Sequence, residues 1–316
     1  MTAKDPLVTA AEHQRQQQAN FQRGLEAIGT LPPGPTRDQL TEFAHQSNFR
    51  VTEMAEVLAK VLGDIKMPAL REEWKPPTDE GYKPKPGERI ERRQFAGGRN
   101  GVDLGWARRD IKIIDCDFIG QSRYPIWLGS AADEAWAGKG PVDELLIQGC
   151  RFWPSQWEAL LRGYGNGHRV IGCTGWIANP DKGGIRFAAG DDKEARDNTI
   201  VNLCKRTQSG IAFWPHANPE SADPSDRIRG ARAIGNRLTH ANIFVGDNVE
   251  DAVVTGNTFV DVPDDEPLLV ISGGDRNTKK SGRSGFRAPN VTTDIPRDRI
   301  RLERGATWDN VTLLAA

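Results

Sequence analysis

Two hydrophobic periods divide this chain. Over residues 1–66 the seam positions advance in alternating steps of four and three: Leu7, Ala11, Gln14, Gln18, Phe21, Leu25 and Ile28, then Leu40, Ala44, Ser47, Val51, Met54, Leu58, Val61 and Ile65. That is the seam spacing of a coiled coil, and it predicts two helices. Between them, Gly29-Thr-Leu-Pro-Pro-Gly-Pro35 stops the first, because consecutive prolines cannot continue a helix. Thr36 with Gln39 three residues on has capping-box spacing for the second. A seam this narrow either closes as a hairpin on itself or is covered by another chain. The sharper expectation is an attachment or oligomerisation region, with Leu7, Phe21, Leu25, Ile28, Leu40, Val51, Met54, Leu58 and Val61 as its contacts.

From about Asp110 onward the period is two, and it repeats. The segments Ile113-Ile-Asp-Cys-Asp-Phe118, Ile147-Gln-Gly-Cys-Arg-Phe152, Val170-Ile-Gly-Cys-Thr-Gly175, Val201-Asn-Leu-Cys-Lys-Arg206, Ala233-Ile-Gly-Asn-Arg-Leu238 and Val254-Thr-Gly-Asn-Thr-Phe259 align without gaps. Every cysteine in the chain (Cys116, Cys150, Cys173 and Cys204) falls in one column, which Asn236 and Asn257 continue. A second short run follows each segment: Ile126-Trp-Leu128, Ala159-Leu-Leu161, Ile185-Arg-Phe187, Ile211-Ala-Phe213, Ile243-Phe-Val245 and Leu269-Val-Ile271. Two strands per repeat, with glycine or Asx at the corner, predict roughly six coils stacked by parallel pairing. A single coil cannot bury its inner face; stacking makes a continuous core. The column then reads as a ladder of small buried thiols and amides rather than disulfides or a metal site, since no C-x-x-C pair exists and stacked side chains point in parallel.

Between the two regions, residues 67–105 carry Pro68, Pro76, Pro77, Pro84 and Pro86, then Gly97, Gly98, Gly101 and Gly105. This composition predicts an extended linker. The expected layout is a helical region at 1–66, a linker at 67–105 and a stack of coils at 106–316.

The repeats, Val254-Thr-Gly-Asn-Thr-Phe259 above all, resemble the right-handed parallel β-helix family, the pectate-lyase-like superfamily. The resemblance covers about two thirds of the chain and implies a mainly β fold. It implies little about activity, because this scaffold carries lyases, hydrolases, epimerases and inert spikes. Heptad-spaced N-terminus, linker and C-terminal stack together resemble the layout of spike or fibre proteins of bacteriophages and gene transfer agents.

Composition adds exclusions. The formal net charge of −1 gives no argument for a nucleic-acid partner. No apolar run approaches a membrane span, and the first residues lack a secretory signal, so synthesis in a host cytoplasm is expected. Two outward rows, Trp127, Leu160, Arg186, Ala212, Phe244, Val270 and Lys112, Leu146, Arg169, Ile200, Arg232, Val253, are more apolar than water-facing rows usually are, and suggest cover by another subunit or a loop.

For binding chemistry, Trp136, Trp153, Trp157 and Trp176 cluster where loops should leave the coils; flat aromatic faces suit sugar rings. For hydrolysis, the paired carboxylates Asp115/Asp117, Asp133/Glu134, Asp191/Asp192 and Asp264/Asp265 are candidates, but the repeats single out none of them. A calcium site among Asp261, Asp264, Asp265 and Glu266 is a minor alternative. The five histidines are scattered, and neither a nucleophile elbow nor a phosphate loop is present. The expectation is a spike or fibre protein of a phage-like particle without a cofactor or metal. It is anchored to other virion proteins through residues 1–66, self-associates as a trimer (or a pentamer on a five-fold mount), and binds host surface polysaccharide. The runner-up is a polysaccharide-degrading enzyme on the same scaffold.

Overall fold

The computed structural model describes residues 74–75, 81–96, 100–104, 109–119, 121, 124–128, 142–153, 161–177, 179, 183–215, 226–273 and 287–315. The seam positions of residues 1–66, together with Trp136 and Trp157, lie outside the described residues. The described chain is mainly β, and every strand pairing in it is parallel.

Each turn of the chain lays down three strands, not the two expected. The first joins a nine-stranded sheet (sheet I, from Arg89–Glu91 to Val311–Leu313). The second joins an eight-stranded sheet (sheet II, from Trp74–Lys75 to Thr258–Val260), and the third another eight-stranded sheet (sheet III, from Asn100–Asp103 to Ile300–Glu303). Successive coils add one strand to each sheet, so the chain builds a three-faced stack with a core running along its axis. The third strand was hidden because the strands of sheets I and II are joined by only two residues and read as one run.

Those two-residue turns repeat at every coil. Their first residue is left-handed, at φ 52° for Arg92, 51° for Asp115, 62° for Gly149, 61° for Gly172, 54° for Asp197, 66° for Gly235 and 64° for Gly256. Glycine and Asx tolerate that conformation, which is why they recur there. From Cys116 onward their second residue turns inward and forms the ladder. Asn198 Oδ1 accepts the Cys173 N–H at 2.9 Å, Asn236 Oδ1 accepts that of Asn198 at 3.0 Å, and Asn257 Oδ1 accepts that of Asn236 at 3.0 Å. Each amide also donates to a sheet I carbonyl one coil back, Asn198 to Val170, Asn236 to Ala195 and Asn257 to Ala233. The thiols imitate this in weaker form: Cys150 Sγ accepts the Cys116 N–H at 3.4 Å and donates to the Ile113 carbonyl at 3.4 Å.

The ladder therefore contains Asn198, and Cys204 is not part of it. Thr174 pairs with Thr199, which sets Cys173 opposite Asn198. Cys204 is buried six residues further along, beyond the sheet II strand Thr199–Asn202. The same shift corrects a surface row. Ile200 is fully buried on sheet II, and the place assigned to it on sheet I belongs to Glu194, paired with Arg169 and Arg232. On sheet III, the partner of Trp127 and Arg186 is Arg162 rather than Leu160.

The stretch expected as a linker contributes a coil. Arg89–Glu91, Gln94–Ala96 and Asn100–Asp103 are strands, and Ile90, Val102 and Leu104 are fully buried. A few apolar residues suffice because each falls on an inward position. Inside the stack, rings continue from coil to coil: Phe95 on Phe118 at 5.1 Å, Phe118 on Phe152 at 4.8 Å, and Phe187 on Phe213 at 5.3 Å. Toward the C-terminus, buried Ile295 and a short 3-10 turn at Arg297–Arg299 follow where a further sheet II strand would fall, and Trp308 packs partly against the core beneath the Arg297 guanidinium.

Candidate functional site

The long connections all leave the edges of sheet III. Between sheets I and II the chain always spends two residues. By contrast, Trp127 is followed by the next strand only at Leu146, Phe213 by Ile228, Ser272 by Val291, and Phe152 by Leu161. Loops on a rigid scaffold are where binding residues accumulate, so the sheet III face is the candidate site.

Across it Asp103, Trp127, Arg162, Arg186, Ala212, Phe244, Val270 and Arg301 stand in register. Here the structure brings together residues that sequence spacing did not. The Arg186 guanidinium lies 4.3 Å over the Trp214 ring, and Trp214 meets Phe244 edge-on at 6.0 Å. Gly246 makes this possible, since a Cβ there would come within 3.0 Å of the indole and 3.2 Å of the Phe244 ring. Asn242, on the same face as Phe244, is 8% exposed, and its Oδ1 is buried without a hydrogen-bond partner. The result is an aromatic and guanidinium surface, a chemistry suited to ring-bearing ligands. The signal for it was present in Ile211-Ala-Phe-Trp214 and Ile243-Phe244, but pairing them requires the register.

The predicted tryptophans are placed differently. Trp153 is 2% exposed and stacks on Trp176 at 4.5 Å and 11°, so the two rings spend a face on each other and Trp153 is no open platform. Beside them on sheet II, Asp117 (2% exposed) accepts two hydrogen bonds from Arg151, both 2.6 Å, joining neighbouring coils. This bidentate pair occupies the Asp117 carboxylate, while Asp115 sits in the left-handed turn. The two acids therefore do not form a general acid and base facing one substrate.

Of the other acid pairs, Asp133/Glu134 lies outside the described residues, and Asp191/Asp192 and Asp264/Asp265 stand at turns and corners. Asp192 holds a left-handed corner, and the Asp191 N–H donates to Asn166 Oδ1, which continues a corner ladder from Asp143. In the loop proposed for calcium, the Arg299 guanidinium donates to the carbonyls of Pro263 at 3.0 Å and Glu266 at 3.2 Å, with Asp264 at 3.7 Å. An internal cation already sits where the metal was expected. Among the described residues, no group of three or more His, Cys, Asp or Glu side chains could hold a metal ion.

One buried polar pair lies inside the stack. His168 and Lys193 are fully buried on the inward column that otherwise carries Ile111, Leu145, Ala231 and Ala252. Burial holds the His168 pKa well below its usual value, reinforced by Lys193. Burial likewise lowers Lys193 to about 7, against the opposing pull of Asp143 and Asp191.

Set beside known proteins, the chain matches no family model, no curated protein and no solved structure.

Proposed function

We propose that this chain is a right-handed parallel β-helix of the pectate-lyase-like kind that serves as a spike or fibre of a phage-like particle. In this reading residues 1–66 attach it to other virion proteins and assemble it with its own copies. The coil stack projects outward, and the rim of sheet III binds cell-surface polysaccharide. The observation that carries the binding role is the confinement of long connections to the edges of sheet III, around Arg186, Trp214, Asn242 and Phe244. The seam spacing of the N-terminal region carries the attachment role.

Non-catalytic binding is favoured over depolymerisation because Asp117 is held by Arg151 and the remaining described acid pairs serve corners and turns. The test is to titrate the full chain with host capsular or exopolysaccharide, following tryptophan fluorescence and assaying new reducing ends and unsaturated uronate. Saturable binding without product is expected, and Trp214→Ala should weaken it about tenfold, the loss of one aromatic contact. New chain ends would instead establish the enzyme, and no binding with unchanged fluorescence would remove the glycan role.

A further inference from the structure

We propose that Lys193 and His168 form a proton-controlled latch in the core, which closes the corner of three successive coils when Lys193 is neutral and loosens it when Lys193 is charged. The geometry sets this up independently of any titration. His168 Nε2 lies 2.6 Å from the Val142 carbonyl oxygen, so that nitrogen carries the proton and Nδ1 is an acceptor. Lys193 Nζ lies 3.1 Å from that Nδ1 and also donates to the Gly165 carbonyl. A neutral amine has two N–H groups, and two acceptors stand opposite them. An ammonium would bring a third N–H and a full charge into a site walled by Ala231, Leu145 and the sheet.

The carbonyls face inward because the corner is built for it. Gly165 adopts φ 122°, and a Cβ there would overlap the Val142 carbonyl oxygen, so only glycine lets the two strands of backbone approach. Directly outside lies the ladder of Asp143, Asn166 and Asp191, whose backbone bonds (Glu144 N–H to Asn166 O at 2.7 Å, Gly167 N–H to Asp191 O at 2.9 Å) tie the same three coils. The ionisable groups acting on the amine are His168 beside it and Asp143 and Asp191 at the corner. The two carboxylates favour charging and burial opposes it more strongly, which leaves the amine poised near neutrality. Val142 immediately follows the connection that begins after Leu128, so the latch sets the root of one of the connections at the sheet III edge.

Hydrogen exchange on the full chain, corrected for intrinsic rates, tests this. Protection at Glu144, Asn166, Gly167 and Asp191 should fall at least tenfold on lowering the pH from about 8.5 to about 6, and that of the Asn198 and Asn236 ladder amides should fall no further than this. In Lys193→Met the corner amides should lose this pH response. Equal protection at both pH values, or an undiminished response in Lys193→Met, overturns the latch. Should that variant not fold, the side-chain carbon and nitrogen resonances of Lys193 in the unaltered protein decide: a midpoint near neutrality is expected, and one at the ordinary lysine value of about 10.4 overturns it.

Discussion

At the scale of single residues, the ladder shows how two unlike side chains fill one role. Cysteine and asparagine each offer one inward donor and one acceptor at a corner where a backbone N–H and a carbonyl from neighbouring coils must be satisfied. Asparagine does this with shorter bonds, so the Cys and Asn positions are not energetically equal. Asn236→Ala would remove the acceptor of both the Asn198 N–H and the Asn198 side-chain amide in a site of zero exposure. A loss of about 2–4 kcal/mol in a urea melt is expected. Cys150→Asn places the stronger partner in the same slot and should cost far less in the same melt, within about 1 kcal/mol. This column was legible from sequence except at one rung. Cys204 drew the alignment to itself, although Arg196-Asp-Asn-Thr-Ile200 matches Thr255-Gly-Asn-Thr-Phe259 once Asp and Gly are read as equivalents in a left-handed turn.

At the scale of strands, that misplaced rung has a physical origin. The sheet I strand of its coil, Glu194–Arg196, has a single inward residue, Ala195, preceded on the same inner side by Lys193. A strand whose buried positions hold alanine and lysine carries no hydrophobic signal, so the apolar spacing points instead to Val201-Asn-Leu-Cys-Lys-Arg206, which begins inside the sheet II strand Thr199–Asn202. The sheet III patch was illegible for a different reason: Arg186, Trp214, Asn242 and Phe244 come from three coils, and only a known register joins them. The same contrast between tight and long connections makes an element-level prediction. One residue inserted between Gly172 and Cys173 would turn the strand Thr174–Ile177 by a full face, exposing Gly175 and Ile177 and burying Thr174 and Trp176. Such a variant should fail to fold or should melt far below the parent. Insertion of about six Gly and Ser residues between Leu128 and Val142 should shift stability by less than about 1 kcal/mol, because lengthening a long loop changes its closure entropy little. Parallel thermal melts of the two insertions decide the point.

Across the whole molecule, a stack of coils has little choice about what its core contains, since each inward column runs from one coil to the next. Replacing two members of an apolar column by His168 and Lys193 therefore puts titratable groups at the centre of the structure, and the pH dependence of stability follows in sign. The folded pKa of Lys193 is depressed from 10.5 to about 7. Between those values the unfolded chain holds the proton and the folded chain does not, so stability rises with pH across that window and is at its low plateau below about 7. His168 acts in the same direction further down. Its folded pKa lies well below 6.5, so the unfolded state binds the proton first and stability falls again as the pH drops through that value. The melting temperature should thus climb steadily from mildly acid to mildly alkaline solution, with no maximum near neutrality from these two groups. Lys193→Met should flatten the upper part of that rise and leave the lower part, while a variant replacing both side chains by leucine and alanine should flatten the whole. Calorimetry at pH steps spanning the two windows checks it, and a parent whose melting temperature is level from neutrality to about pH 10 would show that the amine keeps its proton inside the fold.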